Sequence, residues 1–396
     1  MEIEVDVTEE NPDLDSFEQM EDGSIAFGEP TPPAEDTDFY ANLADIMPDS
    51  DLNSLKNDLM SNIESDKDSR GDWEKTYREG LEYLGMKYEE RSQPFEGASG
   101  VMHPLLSESV TQFQAQAYNE LLPSQGPVKT QVLGMTTPET EQQAARVQEF
   151  MNYQLMQVMK EYDPETDQML FYLPLSGSAF RKVYYDQNLG RAVSKFIPSE
   201  DLIVPYSATD LHSATRITHV INMPMNDIRK LQQIGFYKDV DLDSGNMMAD
   251  ETDDIQEGID ELQGVKPSYD DDDTCKVHEI HTELDIEGFE DMNAEGEDTG
   301  IKLPYIVTIG NNKVLSIRRN YKENDQLKQR INYFVHYKFL PGLGFYGFGL
   351  THMIGGLSKA ATSILRQLID AGTLSNLPAG FKARGIRIRN DDQPLQ

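Results

Sequence analysis

The sequence predicts an α+β fold, in which helical and strand-forming stretches are grouped along the chain. Apolar residues recur at spacings of three and four through much of the region before residue 177. Short strand-like runs then dominate as far as residue 340, and a glycine-rich turn after them opens a long amphipathic pattern. This grouping argues against a doubly wound parallel sheet, because such a sheet is built from alternating β–α–β units.

Charge limits the classes of function. The 396 residues include 70 acids and 34 bases, and the formal net charge is −36. A protein that wraps a nucleic acid backbone needs lysine and arginine on its surface, so tight nucleic acid binding is not expected. The charge remains compatible with a surface past which a polyanion slides without sticking.

Cysteine content and hydropathy indicate the compartment. The single cysteine, Cys275, excludes an intramolecular disulfide and fits a reducing environment. No uninterrupted apolar run reaches the roughly 18 residues of a membrane span, and the acidic N-terminus lacks the basic region of a secretory signal. We therefore expect a protein made in the cytoplasm, with no membrane partner.

Residues 1–51 predict a disordered acidic tail. They carry 17 acids and several prolines, and the first basic residue is Lys56. Such a segment buries too little apolar surface to offset the entropy of ordering it. It is either a solvated leader or a docking site for a basic partner protein.

Four helices are predicted after the tail, the last at residues 165–176. The apolar stripes of the first three are Trp73, Tyr77, Leu81 and Leu84; then Leu106, Val110, Phe113, Ala117 and Leu121; then Val147, Phe150, Met151, Leu155, Val158, Met159 and Tyr162. Strands are predicted at residues 181–186, 192–197, 215–222, 276–286, 305–309, 313–319 and 332–340, with a short helix at 225–234. Residues 241–275 are acid-rich and predict a linker or insertion.

The segment Gly342-Leu-Gly344-Phe-Tyr-Gly347 supports two hypotheses. It satisfies the pattern G-x-G-x-x-G between a strand and a helix, which is the context of a dinucleotide-binding turn. Against this, the bulky Phe345-Tyr346 pair would crowd a phosphate. The alternative is a glycine-rich hinge between sheet and helix, formed by Gly342, Gly344, Gly347 and Gly349.

Other motifs predict no catalytic residue, metal site or cofactor. His278 and His281 are three apart, so on a strand their side chains point to opposite faces. An acidic run from Asp239 resembles the start of a calcium loop but has Ser244 where the loop needs glycine. No P-loop and no nucleophile elbow is present in the sequence.

The final helix carries the clearest pattern. Its broad apolar face consists of Leu350, Met353, Ile354, Leu357, Ala361, Ile364, Leu365 and Leu368. Its basic residues His352, Lys359 and Arg366 recur every seven positions, which keeps them nearly aligned along the helix. This basic row is either a solvated face or a row of cations that meets a neighbouring subunit or a polyanion.

The order of these features resembles the portal proteins of tailed bacteriophages, the head-to-tail connectors, of the short-tailed-phage type. Three stretches carry the resemblance: a helical block from Asp163-Pro-Glu-Thr to GSAFRKVYYD at 177–186, PSEDLIVP at 198–205, and FLPGLGFYGFGL at 339–350 leading into GGLSKAATSILRQLIDAGTLSN and Pro378-Ala-Gly380. The resemblance covers roughly residues 70–390.

The resemblance implies a ring of about twelve subunits at one capsid vertex, through which double-stranded DNA is packaged and ejected. It implies a virion protein that contacts the terminase large subunit, capsid and scaffold proteins, and later the tail adaptor proteins. The implied domains are a wing-like α+β region at 52–240, a small β-rich clip at 276–346, and a stem-like helix at 347–374 that lines the channel. Residues 375–396 would begin a further wing segment, cut short in an N-terminal fragment.

Two other hypotheses stay open at this stage. A nicotinamide-dinucleotide enzyme would depend on the G-x-G-x-x-G turn and would be a monomer or dimer. An acidic scaffold or adaptor protein would depend on the acid-rich stretches and would be largely disordered. The portal hypothesis differs from both, because it predicts a folded chain in a very large oligomer.

Overall fold

The computed structural model contains both helices and strands in quantity. About 45% of the chain is helical and 21% is strand, which confirms the predicted α+β class. The structure describes residues 38–86, 91–186, 189–242, 254–264, 274–292, 298–342 and 344–376, and the backbone of a short antiparallel pair, β1 (Phe17–Gln19) and β2 (Ile25–Phe27). Residues 377–396, and with them most of the predicted further wing segment, lie outside the described part.

Eight α-helices lie in the described part. They are α1 (Asp49–Ser69), α2 (Gly71–Tyr83), α3 (Leu105–Leu121), α4 (Pro138–Tyr153), α5 (Tyr162–Ser176), α6 (Met225–Gln233), α7 (Asp254–Gln263) and α8 (Leu350–Asn376). A π-helical turn, Gln154–Val158, continues α4. The four helices predicted before residue 177 correspond to α2, α3, α4 and α5. Helix α1 was not predicted, because its apolar residues are few among many charged and polar ones and the helical spacing is hard to detect.

Two antiparallel sheets carry the strands from residue 178 onward. The larger has the order β5 (Leu202–Ile203), β6 (Arg216–Pro224), β7 (Thr274–Leu284), β8 (Leu303–Gly310) and β9 (Lys313–Arg319). The smaller has the order β10 (Phe334–Lys338), β3 (Ser178–Asp186) and β4 (Arg191–Ile197). The tight turn between β8 and β9 has positive φ at Asn311 and Asn312, as hairpin turns require.

Both sheets combine strands from the wing-like and clip-like regions that the resemblance implies. β6 pairs with β7 along nine residues, and β10 pairs with β3. Strands from the wing-like region 52–240 and the clip-like region 276–346 therefore share both sheets. The predicted linker 241–275 also contains α7, whose Ile255 is buried against α2. Acidic composition suggested a spacer, but composition carries no information about long-range strand pairing.

The predicted acidic tail extends too far along the chain. Its last part is folded, since Leu43 and Ala44 are fully buried and α1 begins at Asp49. Asn42 attaches this segment to β9: its side chain donates to the carbonyl of Leu315 at 3.2 Å and accepts from the amide of Ile317 at 2.9 Å. A few apolar residues are enough to order a polar segment when they pack against a sheet, as Leu43 and Ala44 do here.

A buried ion-pair cluster joins the two sheets. Lys182 on β3 reaches both carboxylate oxygens of Glu279 on β7, at 2.5 and 2.6 Å, and His281 bonds the same carboxylate at 2.8 Å. Burial opposes ionisation of Glu279, but the Lys182 charge and the His281 hydrogen bond hold its pKa well below the ordinary value. Burial also lowers the pKa of His281. We call Lys182, Glu279 and His281 the sheet junction.

Candidate subunit interface

The glycine-rich segment before α8 crosses the backbone that joins α5 to β3. A Cβ added at Gly347 would lie 2.4 Å from the carbonyl oxygen of Gly177, and one added at Gly349 would lie 2.5 Å from that of Leu175. The amide of Gly347 donates to the hydroxyl of Ser178 at 2.8 Å. Because Cβ atoms do not approach other atoms so closely, glycine at Gly347 and Gly349 allows the two backbones to touch.

This crossing removes the basis of the dinucleotide hypothesis. A phosphate cradle needs backbone amides that point at the ligand. Here the amide of Gly347 is bound to a serine hydroxyl and that of Phe348 donates to the carbonyl of Leu340 at 2.9 Å. All pairings between the described strands are antiparallel, whereas the dinucleotide turn belongs to a parallel βαβ unit. The end of the Gly342 to Gly347 motif therefore serves packing, and its geometry disfavours the dinucleotide alternative.

The four glycines differ in how tightly they are held. A Cβ at Gly342 would lie 3.0 Å from the carbonyl oxygen of Tyr346, whereas no atom lies within 4 Å of one at Gly344. A hinge formed by these glycines stays a prediction. If the segment bends, Gly344 offers the least resistance, because Gly347 and Gly349 are held by backbone contact.

Helix α8 turns a face of small residues toward its own subunit. The hydroxyl of Thr351 donates to the carbonyl of Leu175 at 3.1 Å, and that of Thr362 accepts from the amide of His103 at 3.1 Å. These short side chains let α8 lie close to α2, α3 and α5, on which it packs. The buried residues of the helix are Thr351, Gly355, Ser358 and Thr362.

The opposite side of α8 is apolar and exposed. At 3.6 residues per turn, its large side chains fall roughly opposite the buried face and run along about 22 Å of the helix. We call this set the α8 apolar face: Met353 (57% exposed), Leu357 (63%), Ile364 (59%) and Leu368 (67%). Of the apolar face predicted from the sequence, Leu350 and Ile354 pack within the subunit, beside Tyr77 and Leu106.

The predicted basic row lies on one flank of α8, between the buried and exposed faces. Arg366 donates to the carbonyl of Val101 at 2.7 Å, so it fixes a loop of its own subunit. His352 accepts from the amide of Gly349 at 3.2 Å, and burial lowers its pKa. Lys359 is exposed. The three residues are aligned as the heptad spacing predicted, but two of them make contacts at the helix surface.

A buried arginine that the sequence did not single out holds the proline-bracketed segment 198–205. Arg70, between α1 and α2, donates to the carbonyls of Glu200 at 2.6 Å and of Leu202 at 2.9 Å. Its Nε also pairs with Glu74 at 2.7 Å. The PSEDLIVP stretch thus leads from β4 of the smaller sheet into β5 of the larger sheet, and Arg70 holds it against the helices. The role of Arg70 could not be predicted from the sequence, because it depends on a contact between residues about 130 positions apart.

Two further observations bear on the alternatives. No helix among the described residues is long and apolar enough to cross a membrane. In the same part of the chain, no three His, Cys, Asp or Glu side chains are grouped so that they could hold a metal ion. The described residues form several buried apolar clusters, which disagrees with the largely disordered chain of the scaffold or adaptor hypothesis.

Comparison with known proteins places the chain in a family. The model of the phage SU10 portal protein family matches residues 176–385, which is more than half of the 396 residues. The match begins at the end of α5 and includes both sheets, the glycine crossing and α8. A search of curated proteins found no match. The chain therefore belongs to the phage SU10 portal protein family.

Proposed function

We propose that this protein forms the portal ring at one vertex of the capsid, through which double-stranded DNA is packaged and later ejected. The ring has about twelve copies and is assembled in the host cytoplasm. It docks the terminase large subunit during packaging and the tail adaptor proteins afterwards, and it contacts capsid and scaffold proteins. Membership of the family supports a structural virion protein and a homo-oligomeric ring.

The observation that carries the ring is the α8 apolar face. Burying a leucine, isoleucine or methionine side chain contributes about 1.5–3 kcal/mol, and four such side chains lie in water along one side of α8. Contiguous exposed apolar surface of this kind marks interaction sites. The face belongs to a helix whose other side is already packed, so the interface requires no rearrangement of the subunit.

Electrostatics suits a channel for DNA. A charge of −36 on each subunit repels a polyanion in general. The exposed Lys359 on the flank of α8, repeated around a ring, would meet phosphates weakly and many times. His352 and Arg366 are proposed as interface positions beside it. We assign α8 as a stem-like helix near the channel, with the glycine segment as its connection to the sheets.

Native mass spectrometry with negative-stain imaging of the full-length protein tests this proposal. We expect hollow rings of about twelve copies for the wild type and monomers for Leu357→Asp, because a carboxylate in the apolar face blocks its burial. Leu327→Asp is the matched control, since Leu327 is also an exposed leucine (78%) but lies between β9 and β10. A wild type that stays a well-folded monomer or dimer would overturn the proposal.

A further inference from the structure

A second exposed apolar surface lies on residues 126–153, here called the α4 arm. The arm leaves α3 and returns to α5, and its helix α4 has no buried residue. One side of α4 holds only the start of the arm itself: Asn152 accepts from the amide of Val128 at 2.9 Å, and the hydroxyl of Thr130 donates to the carbonyl of Ala144 at 2.9 Å. The rest of the helix surface faces solvent.

An α-helix in this position needs a partner. Its 16 residues span about 24 Å, and isolated helices of that length are marginally stable in water. A capping box formed by Thr137 and Thr140, with Pro138 in the first turn, defines its start. Capping sets where a helix begins, but most of a helix's stability in a protein comes from packing an apolar face.

The α4 arm has such a face, and it is exposed. Val147 (54% exposed), Phe150 (59%) and Met151 (41%) follow the i, i+3, i+4 spacing of one helix side. Leu133 and Met135, 89% and 88% exposed, precede the helix in the same arm. The three helix residues begin the apolar stripe predicted over residues 147–162. Its later member Met159 is buried at 6% exposure, so the uncovered part is the beginning of the stripe.

We propose that the α4 arm of each subunit docks on the α8 apolar face of the neighbouring subunit. The proposal rests on the ring of the proposed function. A ring of identical subunits arranged head to tail needs two different complementary surfaces on every subunit. The α4 arm and α8 each supply an exposed apolar helix surface, and helix pairs pack by fitting the ridges of one into the grooves of the other.

The position of the two surfaces in one subunit fits this arrangement. The arm begins and ends where the hydroxyl of Tyr118 on α3 bonds Asp163 on α5, at 2.7 Å. Helix α8 contacts the opposite end of the same helix pair, at Leu175 and beside His103. The length of α3, about 25 Å for 17 residues, separates the two contacts. The two surfaces therefore lie toward opposite ends of the α3–α5 pair, so that two different neighbours in a ring can reach them.

Charge also favours the pairing. Helix α4 carries Glu139, Glu141 and Glu149 against Arg146, so its net charge is negative. Helix α8 carries Lys359 and Arg366 against Asp370, and Asp370 accepts from the backbone amide of Ser99 at 2.7 Å. In a chain with twice as many acids as bases, α8 is an exception, and an acidic helix is its complementary partner.

Cysteine cross-linking of assembled rings tests the contact directly. The chain has one cysteine, Cys275, and it is buried at 3% exposure, so the wild type is a silent background. Phe150→Cys is combined in turn with Met353→Cys, Leu357→Cys, Ile364→Cys or Leu368→Cys, and rings checked by native mass spectrometry are treated with a short bismaleimide. We expect a ladder up to the full ring for at least one pair, and no ladder for either single variant.

The competing surface is the outer end of the smaller sheet, where Val183 (44% exposed), Tyr185 (65%) and Val335 (43%) are also uncovered. A ladder from Phe150→Cys with Val183→Cys, dimers from Leu357→Cys alone, or intact rings without any α4–α8 ladder would each overturn the inference. The last outcome would leave the ring itself standing. Val147→Cys replaces Phe150→Cys if the latter prevents assembly.

Mixing two assembly-defective variants separates this inference from the proposed function. Phe150→Asp places a carboxylate in the apolar face of the α4 arm and leaves the α8 apolar face intact. Leu357→Asp places one in the α8 apolar face and leaves the arm intact. We expect each variant alone to be monomeric and an equal mixture to form dimers, because one intact joint remains between unlike subunits. Rings or dimers from Phe150→Asp alone would overturn the docking inference, whereas absence of rings in the wild type would overturn the proposed function.

Discussion

The sheet junction buries charged side chains, whereas the exposed surfaces of α4 and α8 leave apolar side chains in water. At the junction, charges removed from water meet partners in the same subunit: Lys182 and Glu279 form a bidentate pair, and their side chains are only 15% and 17% exposed. On α4 and α8, large apolar side chains stay exposed although the helices beneath them are ordered. The difference is that the junction pairs its charges within one subunit, whereas α4 and α8 leave apolar side chains that the same subunit does not cover.

The largest expected effect on stability lies at the junction. Glu279→Gln leaves Lys182 buried without a counter-charge, which should lower the free energy of unfolding by about 3 kcal/mol. The measurement is urea unfolding in the monomeric Leu357→Asp background, so that ring dissociation does not contribute. Glu323→Gln, at an exposed position, is the control and should change little. A loss below about 1 kcal/mol for Glu279→Gln would mean that the sheets do not depend on this pair.

The glycine crossing should give the next largest effect. In Gly347→Ala the new methyl group meets the carbonyl oxygen of Gly177 at 2.4 Å, so the two backbones must separate. We expect a loss of about 2–3 kcal/mol in the same unfolding assay. Gly344→Ala is the matched control, because no atom lies within 4 Å of its Cβ and the change should be within about 0.5 kcal/mol. Equal losses for both variants would contradict the crossing as described.

Acid should weaken the junction region. Burial lowers the pKa of His219 from 6.5 to about 3. Between these two pH values the histidine is protonated in the unfolded chain and neutral in the folded chain. Stability from this histidine is complete above pH 6.5 and falls as the pH drops toward 3, with a loss of about 2 kcal/mol at pH 5. Unfolding midpoints at pH 7.5 and pH 5 should differ less in His219→Gln than in the exposed control His212→Gln. An unchanged pH dependence would show that His219 titrates normally.

Local patterns were sufficient for α2 to α5 and for the α+β class, but not for α1. The spacing of Trp73, Tyr77 and Leu81 gave α2 because a helix face repeats within a few residues. Pairing of β6 with β7 was not predictable from the same kind of evidence, because it joins residues on either side of an acid-rich stretch. The bounds of the clip-like region therefore stay a prediction.

The candidate interface was half visible in the sequence. Periodicity identified apolar stripes on α4 and α8. The same periodicity is expected for a stripe that packs inside the subunit and for one that packs on another subunit. On α8 the side that packs internally is the row of Thr351, Gly355, Ser358 and Thr362, which hydropathy alone places outside. Small hydroxyl residues allow close approach and bond backbone groups, so contact geometry was needed to find the inward face.

The smallest effect on the monomer is expected at α4, the surface that we propose for assembly. Phe150 is 59% exposed on a helix with no buried residue, so Phe150→Asp in the Leu357→Asp background should change the free energy of unfolding by less than about 0.5 kcal/mol. In the otherwise wild-type chain the same substitution should abolish rings. Val110→Asp on α3 is the contrasting variant, because Val110 is fully buried and a carboxylate there should unfold the subunit. If Phe150→Asp destabilised the monomer as Val110→Asp does, α4 would be part of the subunit's own core. If Phe150→Asp leaves the free energy of unfolding of the monomer unchanged but abolishes rings, the apolar face of α4 serves contact with a neighbouring subunit. The sheet junction, in contrast, serves the stability of its own subunit.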